Sequence, residues 1–191
     1  MSLNHAKLKE FFIKSLSSSK RARVRKGLKL TEVKKIEKID PVIEDIKDTC
    51  ISQAKRTGYG LPPEYYVKHY KNWRSWIKRE WWGVYYKKKL IAYRYDILIN
   101  DTMYFIATKS HTDFLDNCPN DALMYTFISY CKSLKGCKWL NAGDWNVYKP
   151  TINNFKQLFG FEKVDLPIYT KYNPLINIFK KLNSVIVKNN E

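Results

Sequence analysis

The chain contains 191 residues, of which 45% are hydrophobic and 15% are aromatic, so it has enough apolar material for one complete core. Its 35 Lys and Arg residues outnumber its 18 Asp and Glu residues and produce a formal net charge of +17. This charge attracts polyanions such as nucleic acid, anionic lipid or a phosphorylated cofactor, and it is equally typical of lysine-rich solvated faces. No apolar run reaches the roughly 18 residues of a membrane helix, so we expect a cytoplasmic protein without a membrane span.

The N-terminal residues differ from the rest of the chain in their charge. Residues 1–26 carry a short amphipathic run, then three serines, then a basic run over residues 20–26. We predict a peripheral helix and a linker in this segment, and a main domain over residues 27–172. Apolar positions at helical spacing in residues 173–191 predict a basic C-terminal helix or tail.

One strand and two helices are predicted before the main sheet. Loose alternation of apolar and polar residues at Leu28, Leu30 and Val33 predicts a first strand. A helix is expected to begin at Asp40-Pro41, with acidic residues in its first turn, and to end before Gly58. Aromatic residues recur at helical spacing over residues 62–78 and predict a second helix.

The apolar period changes to two from Trp82 onward. Residues 82–86, 90–99 and 103–110 alternate in this way and are separated by a lysine turn and by Asn100-Asp101. This pattern predicts a three-stranded antiparallel meander.

A helix, a strand, a helix and a strand are expected after the meander. The first helix follows Pro119, and residues 138–142 form a short apolar strand. Thr151 is the expected cap of the next helix, and Gly160 suits the left-handed position at its end. Residues 164–169 predict a last strand.

This order of elements resembles that of the GNAT (acyl-CoA N-acyltransferase) superfamily over residues 28–169. The ending Phe159-Gly160-Phe161 is similar to the Gly-Phe that closes the last conserved helix of that superfamily. Phe155-Lys156 followed by Phe159-Gly160 also resembles the Phe-Lys-x-x-Phe-Gly signature of Fem-type aminoacyl transferases. The resemblance implies an α/β fold with a mixed, mostly antiparallel central sheet, whose middle strands splay apart and are flanked by helices.

The resemblance implies that an acyl-CoA is the donor and that backbone groups hold much of it. Amides around Ile106, Ala107 and Thr108 would bind the thioester carbonyl, and Lys109 could contact a phosphate.

The resemblance implies two further segments in cofactor binding. The pyrophosphate would lie at the helix start near Asn120 and Asp121, where backbone amides and the helix dipole favour anions. Asn141 and Asn146 follow the short strand where the superfamily often places an asparagine that bonds the cofactor arm, although capping of a loop is an equal reading.

The chain departs from the superfamily pattern at the phosphate loop. The usual Arg/Gln-x-x-Gly-x-Gly/Ala motif is absent, and residues 111–118 contain no glycine that would let a phosphate approach the backbone. Asp113 and Asp116 in this segment also have the wrong charge.

Four side chains are candidates for catalysis. Lys156 occupies the place of the tyrosine that often protonates the leaving thiolate in the superfamily, although it could equally be a solvated helix lysine. His111 is the first candidate for a base that deprotonates an amine, and Asp144 and Asp96 come next.

No metal site is expected, because four cysteines and three histidines show none of the paired spacings that zinc requires. Cys50 and Cys131 fall on apolar faces of predicted helices, which indicates buried free thiols.

The sequence supports three functions. The first is transfer of an acyl group, foremost acetyl, from acyl-CoA to an amine acceptor. The second is Fem-like transfer from aminoacyl-tRNA, which would account for the basic surface and the missing glycine loop, although Fem-type enzymes usually pair two such domains. The third is a non-catalytic module that binds nucleic acid or protein through the basic run over residues 20–26.

Overall fold

The structure is a computed structural model that describes residues 2–7, 15–58, 60 and 79–165. Seven strands in this part of the chain form one sheet in the order β2-β3-β4-β5-β6-β1-β7. The strands are β1 (Ser2–Lys7), β2 (Glu32–Lys35), β3 (Arg79–Tyr86), β4 (Lys89–Ile99), β5 (Thr102–Ser110), β6 (Trp139–Asp144) and β7 (Glu162–Asp165).

Four α-helices flank the sheet in the described part of the chain. They are α1 (Ser18–Leu30), α2 (Ile43–Thr57), α3 (Pro119–Ser133) and α4 (Pro150–Gln157). Short 3₁₀ helices precede α2 (Asp40–Val42) and α3 (Thr112–Asn117). None of the described helices combines the length and the apolar character needed to cross a membrane.

The predicted meander is confirmed as β3, β4 and β5, which pair antiparallel in chain order. β4 is buried from Leu90 to Asp96, on both of its faces, because helices cover both sides of the sheet. One apolar cluster packs one face of the sheet against α1, α3 and α4, and a second packs the opposite face against α2. Cys50 and Cys131 are buried free thiols, as predicted.

The central sheet is mixed and mostly antiparallel, as predicted, since β5 and β6 are the one parallel pair of neighbouring strands in the described part of the chain. Their pairing is brief: it runs from Thr102 opposite Trp139 to Tyr104 opposite Asn141. β5 then continues to Ser110 without β6, and β6 continues to Asp144. The predicted splay of the middle strands is therefore present.

Two predicted helix ends are confirmed by left-handed glycines. Gly58 follows α2 with a φ of 70°, and Gly160 has a φ of 81° in the turn after α4. The Phe161 N–H donates to the Lys156 carbonyl at 3.2 Å, and its ring is 1% exposed in the core. Glycine is favoured at both positions because it adopts positive φ without steric cost.

The N-terminal part of the chain corrects several sequence-based predictions. The basic run lies in α1 and is not a linker, because Val24 and Gly27 give this helix a buried face. Leu28 and Leu30 belong to α1 as well, so the first predicted strand is wrong at these positions, and the strand begins at Glu32. The expected boundary between residues 26 and 27 falls inside α1.

Other predictions differ in detail or cannot be compared. Lys149 is the N-cap residue of α4, and Thr151 lies inside the helix. The last strand begins at Glu162, earlier than predicted. The second predicted helix, the last strand beyond residue 165 and the C-terminal helix lie outside the described residues.

Candidate active site

A cleft of about 610 Å³ opens where β5 and β6 diverge. Residues from α2, the sheet, α3 and α4 surround it, and apolar side chains from β5 and the two later helices form much of its wall. The lining residues are Gln53, Arg56, Thr57, Arg94, Phe105, Ile106, Ala107, Thr108, Ser110, Asn120, Leu123, Met124, Ala142, Lys149, Thr151, Ile152, Phe155 and Lys156.

The cleft has a cationic lining. Arg56, Lys149 and Lys156 contribute positive charge from α2 and α4, and Arg94 lies in the sheet. No Asp or Glu is found among the lining residues in the described part of the chain. A donor or acceptor that carries negative charge is therefore favoured electrostatically.

The free edge of β5 presents backbone amides to this cleft. The His111 N–H donates to the Ile91 carbonyl at 2.8 Å, which sets the alternation of the β4–β5 ladder. In an antiparallel ladder, alternate residues direct their N–H groups toward and away from the partner strand. Ala107 and Lys109 therefore direct their N–H groups to β4, whereas Thr108 and Ser110 direct theirs toward the cleft.

Among the described residues, only one of these two outward amides has a side-chain acceptor. The Gln53 Oε1 atom accepts from the Ser110 N–H at 3.0 Å. Thr108 lies beyond the last residue pair between β5 and β6, so no strand in the described part of the chain faces its N–H. The Thr108 amide is thus the backbone donor best placed to bind a carbonyl oxygen in the cleft.

A buried ion pair lies beneath the cleft. The Arg94 Nε and Nη2 atoms donate to the two carboxylate oxygens of Asp96 at 2.7 and 2.6 Å. The guanidinium carbon lies 3.9 and 4.1 Å from the centroids of the Phe105 and Phe127 rings, which meet edge to face. Burial raises the pKa of Asp96 to about 6, against the opposing effect of the Arg94 charge.

Lys156 lines the cleft from α4, as a candidate catalytic residue should. Its Nζ donates to the Asp144 carbonyl at 3.2 Å. Burial lowers the pKa of Lys156, and the nearby Asp144 charge acts in the opposite direction. The Asp144 side chain is exposed at the end of β6 and does not line the cleft.

His111 lies outside the residues that line the cleft. Its Nδ1 accepts from the Asp113 N–H at 3.3 Å, and its Nε2 is 3.5 Å from the Asp48 carboxylate. The ring packs edge-on against Phe114, with centroids 5.2 Å apart. These contacts make His111 the cap of a 3₁₀ helix, while its assignment as a base stays a prediction.

The first turn of α3, the predicted pyrophosphate site, is covered by α1. The Lys20 Nζ lies 2.7 Å from one oxygen of Asp121, and the Arg23 Nε lies 3.1 Å from the other. Gly27 packs so closely that an added Cβ would lie 2.6 Å from the Cys118 carbonyl oxygen and 2.8 Å from the Ala122 Cβ. Asp121 is 1% exposed, so its part in this turn is to bind α1.

The predicted asparagines occupy different places. Asn120 lines the cleft, where its Nδ2 donates to the Ser110 Oγ at 3.2 Å. The Asn141 Oδ1 accepts from the Gly143 N–H at 2.8 Å, and the Asn146 Oδ1 accepts from the Tyr148 N–H at 2.9 Å. The last two cap the loop after β6 and do not line the cleft, and neither does Lys109.

Several lining residues were not found by sequence reasoning, among them Gln53, Arg56 and Lys149. Two surface-type helix residues and a loop lysine carry no pattern that distinguishes them. Arg94 could have been recognised, because it lies two residues before Asp96 and therefore on the same face of the buried strand β4. Two charged residues on one face of a strand that is buried on both sides indicate a functional site, because charged side chains are rarely buried.

The chain is similar to known proteins in its fold. No protein-family model matches the chain, and no curated protein matches it in sequence. FemX matches with a TM-score of 0.65 at 11% identity, over 85% of this chain and 59% of FemX. The C-terminal domain of a proposed lysylphosphatidylglycerol synthetase from Agrobacterium fabrum matches with a TM-score of 0.64 at 10% identity, over 85% of this chain and 57% of that one.

An acetyltransferase matches as well. Aminoglycoside N-acetyltransferase AAC(6')-Iy, in complex with CoA, has a TM-score of 0.54 at 11% identity, over 75% of this chain and 95% of the enzyme. The chain therefore spans less than two thirds of FemX and of the synthetase domain, and nearly all of this enzyme. Identities this low show the fold alone, and that fold is shared with GNAT acetyltransferases and FemX, as the sequence predicts.

Proposed function

We propose that the protein is an N-acyltransferase that moves an acyl group from an activated donor to an amine acceptor in the cleft between β5 and β6. The observation that carries this proposal is the unpaired edge of β5, where the Thr108 N–H faces a cleft with cationic and apolar walls. An oriented amide in such a place can stabilise a developing oxyanion by about 3 kcal/mol.

In the proposed reaction, the neutral amine attacks the carbonyl carbon of the donor and forms a C–N bond. The carbonyl oxygen gains negative charge and accepts a hydrogen bond from the Thr108 N–H. The bond from this carbon to the sulfur or oxygen of the leaving group then breaks, and the leaving group takes a proton from the Lys156 ammonium. The nitrogen that attacked carries one surplus proton, and it gives this proton back to the neutral Lys156 amine, directly or through water, so that the products are a neutral amide and a protonated leaving group. The lowered pKa of Lys156 makes its ammonium a better acid than an exposed lysine.

The first proposed donor is an acyl-CoA, with acetyl as the first acyl group to test. The similarity of the whole fold to an N-acetyltransferase in complex with CoA supports it. Arg56 and Lys149 would then contact its phosphates, because the first turn of α3 is covered by α1.

The second proposed donor is an aminoacyl-tRNA, and three observations favour it. The covered turn of α3 removes the phosphate site that an acyl-CoA would be expected to use, and FemX matches over 85% of this chain. Arg25, Lys26 and Lys29 are exposed on α1, which would give binding of nucleic acid that weakens steeply with salt.

Both donors can be tested in one experiment. The chain is incubated with acetyl-CoA, a longer acyl-CoA or aminoacyl-tRNA and a panel of small and peptide amines, and acylated products are measured by mass spectrometry. We expect one donor class to support transfer, with a loss of about 100-fold or more in Lys156→Met. Lys138→Met removes a lysine that is 69% exposed and serves as the control. Transfer from none of these donors would contradict the proposal.

The pH dependence tests the role of Lys156. As a general acid it must be protonated, so kcat should fall as pH rises through its pKa, which burial places below that of an ordinary lysine. In Lys156→Arg the charge remains but the proton is not released, so this alkaline limb should disappear together with most of the activity. An unchanged alkaline limb in Lys156→Arg would show that another group is the acid.

A further inference from the structure

We propose that Arg94 and Asp96 are positioning residues, whose buried ion pair holds a bulge in β5 and thereby turns the Thr108 N–H into the cleft. The structural part of this inference is independent of the reaction, and its catalytic consequence rests on the proposed function.

The bulge is visible in the register of β4 and β5. Asp96 lies opposite Phe105, and Tyr95 lies opposite Ala107, so Ile106 is the extra residue. The pairs on both sides of Ile106 belong to the same antiparallel ladder, so β5 has one residue more than β4 at this point, which defines a β-bulge. An extra residue of this kind leaves its N–H without a ladder partner.

The bulge decides which amide of β5 faces the cleft. The loop Asn100-Asp101 has two residues, so Ile99 and Thr102 form the closing hydrogen-bonded pair of the hairpin. If this register continued without a bulge, Thr108 would stand opposite Tyr93 as a hydrogen-bonded pair and would direct its N–H to β4. The one-residue shift at Ile106 places Thr108 opposite Arg94 instead and reverses the direction of its N–H.

Asp96 supplies the partner that the extra residue lacks. The Ile106 N–H interacts with the Asp96 carboxylate and lowers its pKa, and the same carboxylate accepts two hydrogen bonds from Arg94. Both side chains of the pair are almost completely buried, at 1% and 0% exposure. A buried ion pair is rarely the most stable filling of a core, so its presence beneath the cleft is better explained by the conformation that it selects.

Arg94 is itself held in one orientation. The Phe105 and Phe127 rings, which meet edge to face, both pack against its guanidinium, and its Nη1 contacts the Met124 Sδ at 3.5 Å. These three side chains come from β5 and α3, the elements that form the cleft wall. The pair therefore links the position of the bulge to the walls around it.

The charge of Asp96 can be followed by its titration. The charged and titratable groups that face it are Arg94 on its own strand, Glu80 opposite it on β3 and Cys131 on α3. Burial raises the pKa of Asp96 to about 6. The carboxylate is therefore ionised at pH 8 and becomes protonated as pH falls through this value, which weakens its bonds to Ile106 and Arg94.

Amide NMR on ¹⁵N-labelled full-length protein tests the structural part. We expect the Ile106 and Thr108 signals of the wild type to shift together with an apparent pKa of about 6. The shift should be lost in Asp96→Asn and retained in Asp101→Asn, which removes a more exposed carboxylate from the same hairpin. An Ile106 signal that does not titrate, or one that still titrates in Asp96→Asn, would overturn the assignment of Asp96.

The catalytic consequence is tested by measuring kcat and KM with the donor that supports transfer. Asp96→Asn leaves Arg94 buried without its charge partner and can destabilise the protein. A double variant, Arg94→Met with Asp96→Leu, removes both charges and keeps the core apolar, so we expect it to fold. We expect kcat to fall about 100-fold in the double variant, with a change of less than about threefold in the KM of the amine, because an oxyanion donor acts mainly in the transition state. A folded double variant with unchanged kcat would overturn the positioning role. If the wild type transfers no acyl group, the proposed function fails, whereas the NMR titration still decides whether the pair holds the bulge.

Discussion

The first turn of α3 and the free edge of β5 differ in whether other parts of the protein cover their backbone N–H groups. Both present backbone N–H groups that can bind an anion or a carbonyl oxygen. At α3, the α1 helix packs onto the turn through Gly27 and neutralises Asp121 with Lys20. At β5, the neighbouring strand diverges after Tyr104, and the Thr108 N–H faces an open cleft.

This difference indicates that side chains bind the charged groups of the donor and that the backbone binds its carbonyl. A helix terminus that is covered by protein cannot receive phosphate groups, so the negative charge of a donor must be met by side chains such as Arg56 and Lys149. The carbonyl of the donor can still be met by backbone, because the strand edge is open. Changes that uncover α3, or that remove the amide of β5, therefore test the two halves of the comparison separately.

The largest effect is expected from Asp121→Ala. Lys20 would then remain buried, with its ammonium 4.5 Å from the centroid of the Phe155 ring and without a carboxylate partner. Removing one member of a buried ion pair lowers the free energy of unfolding by about 3–5 kcal/mol. Urea denaturation measures this loss. Asp116→Ala, an exposed acid in the preceding turn, is the control, and a similar loss in that variant would show that the pair is not the cause.

A comparable effect, on catalysis, is expected from Thr108→Pro. Proline removes the N–H that faces the cleft and leaves the β4–β5 ladder intact, so kcat should fall about 100- to 1,000-fold with a small change in stability. Ala107→Pro is the matched control, because it removes an N–H that is directed to β4 and should mainly lower stability. If the two variants lose activity and stability in the same proportion, the Thr108 amide has no special role.

A smaller effect is expected from Gly27→Ala, which tests how closely α1 covers α3. The new methyl would lie 2.6 Å from the Cys118 carbonyl oxygen, so one helix must shift. We expect a loss of about 1–3 kcal/mol from this overpacking, in spite of the roughly 1 kcal/mol that alanine contributes over glycine inside a helix. Faster hydrogen exchange at the Ala122 amide would accompany it. Arg25→Ala, at an exposed position of α1, should show neither change.

The smallest effect is expected from Arg23→Ala. Its side chain is 56% exposed, although its Nε contacts the same carboxylate as Lys20. Exposed ion pairs contribute about 0–1 kcal/mol because water screens them, so thermal unfolding should change little. A loss as large as that of Asp121→Ala would mean that the arginine, and not the lysine, holds α1 against α3.

The elements around the site were largely predictable because their signals are local. The period-two pattern from Trp82 identified the meander, and Gly160 with Phe161 identified the end of α4. Lys156 was found by counting back from that glycine, and it does line the cleft. The error at Leu28 and Leu30 arose because short alternation is ambiguous, and packing against α3 decided in favour of a helix.

From Trp82 to Gly160 the sequence by itself determined the order of helices and strands, because hydrophobic periods and turn residues act over a few positions along the chain. Only the tertiary structure decided which backbone amides are covered and which are open. Lys20 and Asp121 are separated by 101 positions in the sequence, and the splay of β5 from β6 depends on where two distant strands diverge. Contacts of this range leave no periodic trace, since each depends on the packing of whole elements and not on the residues beside it.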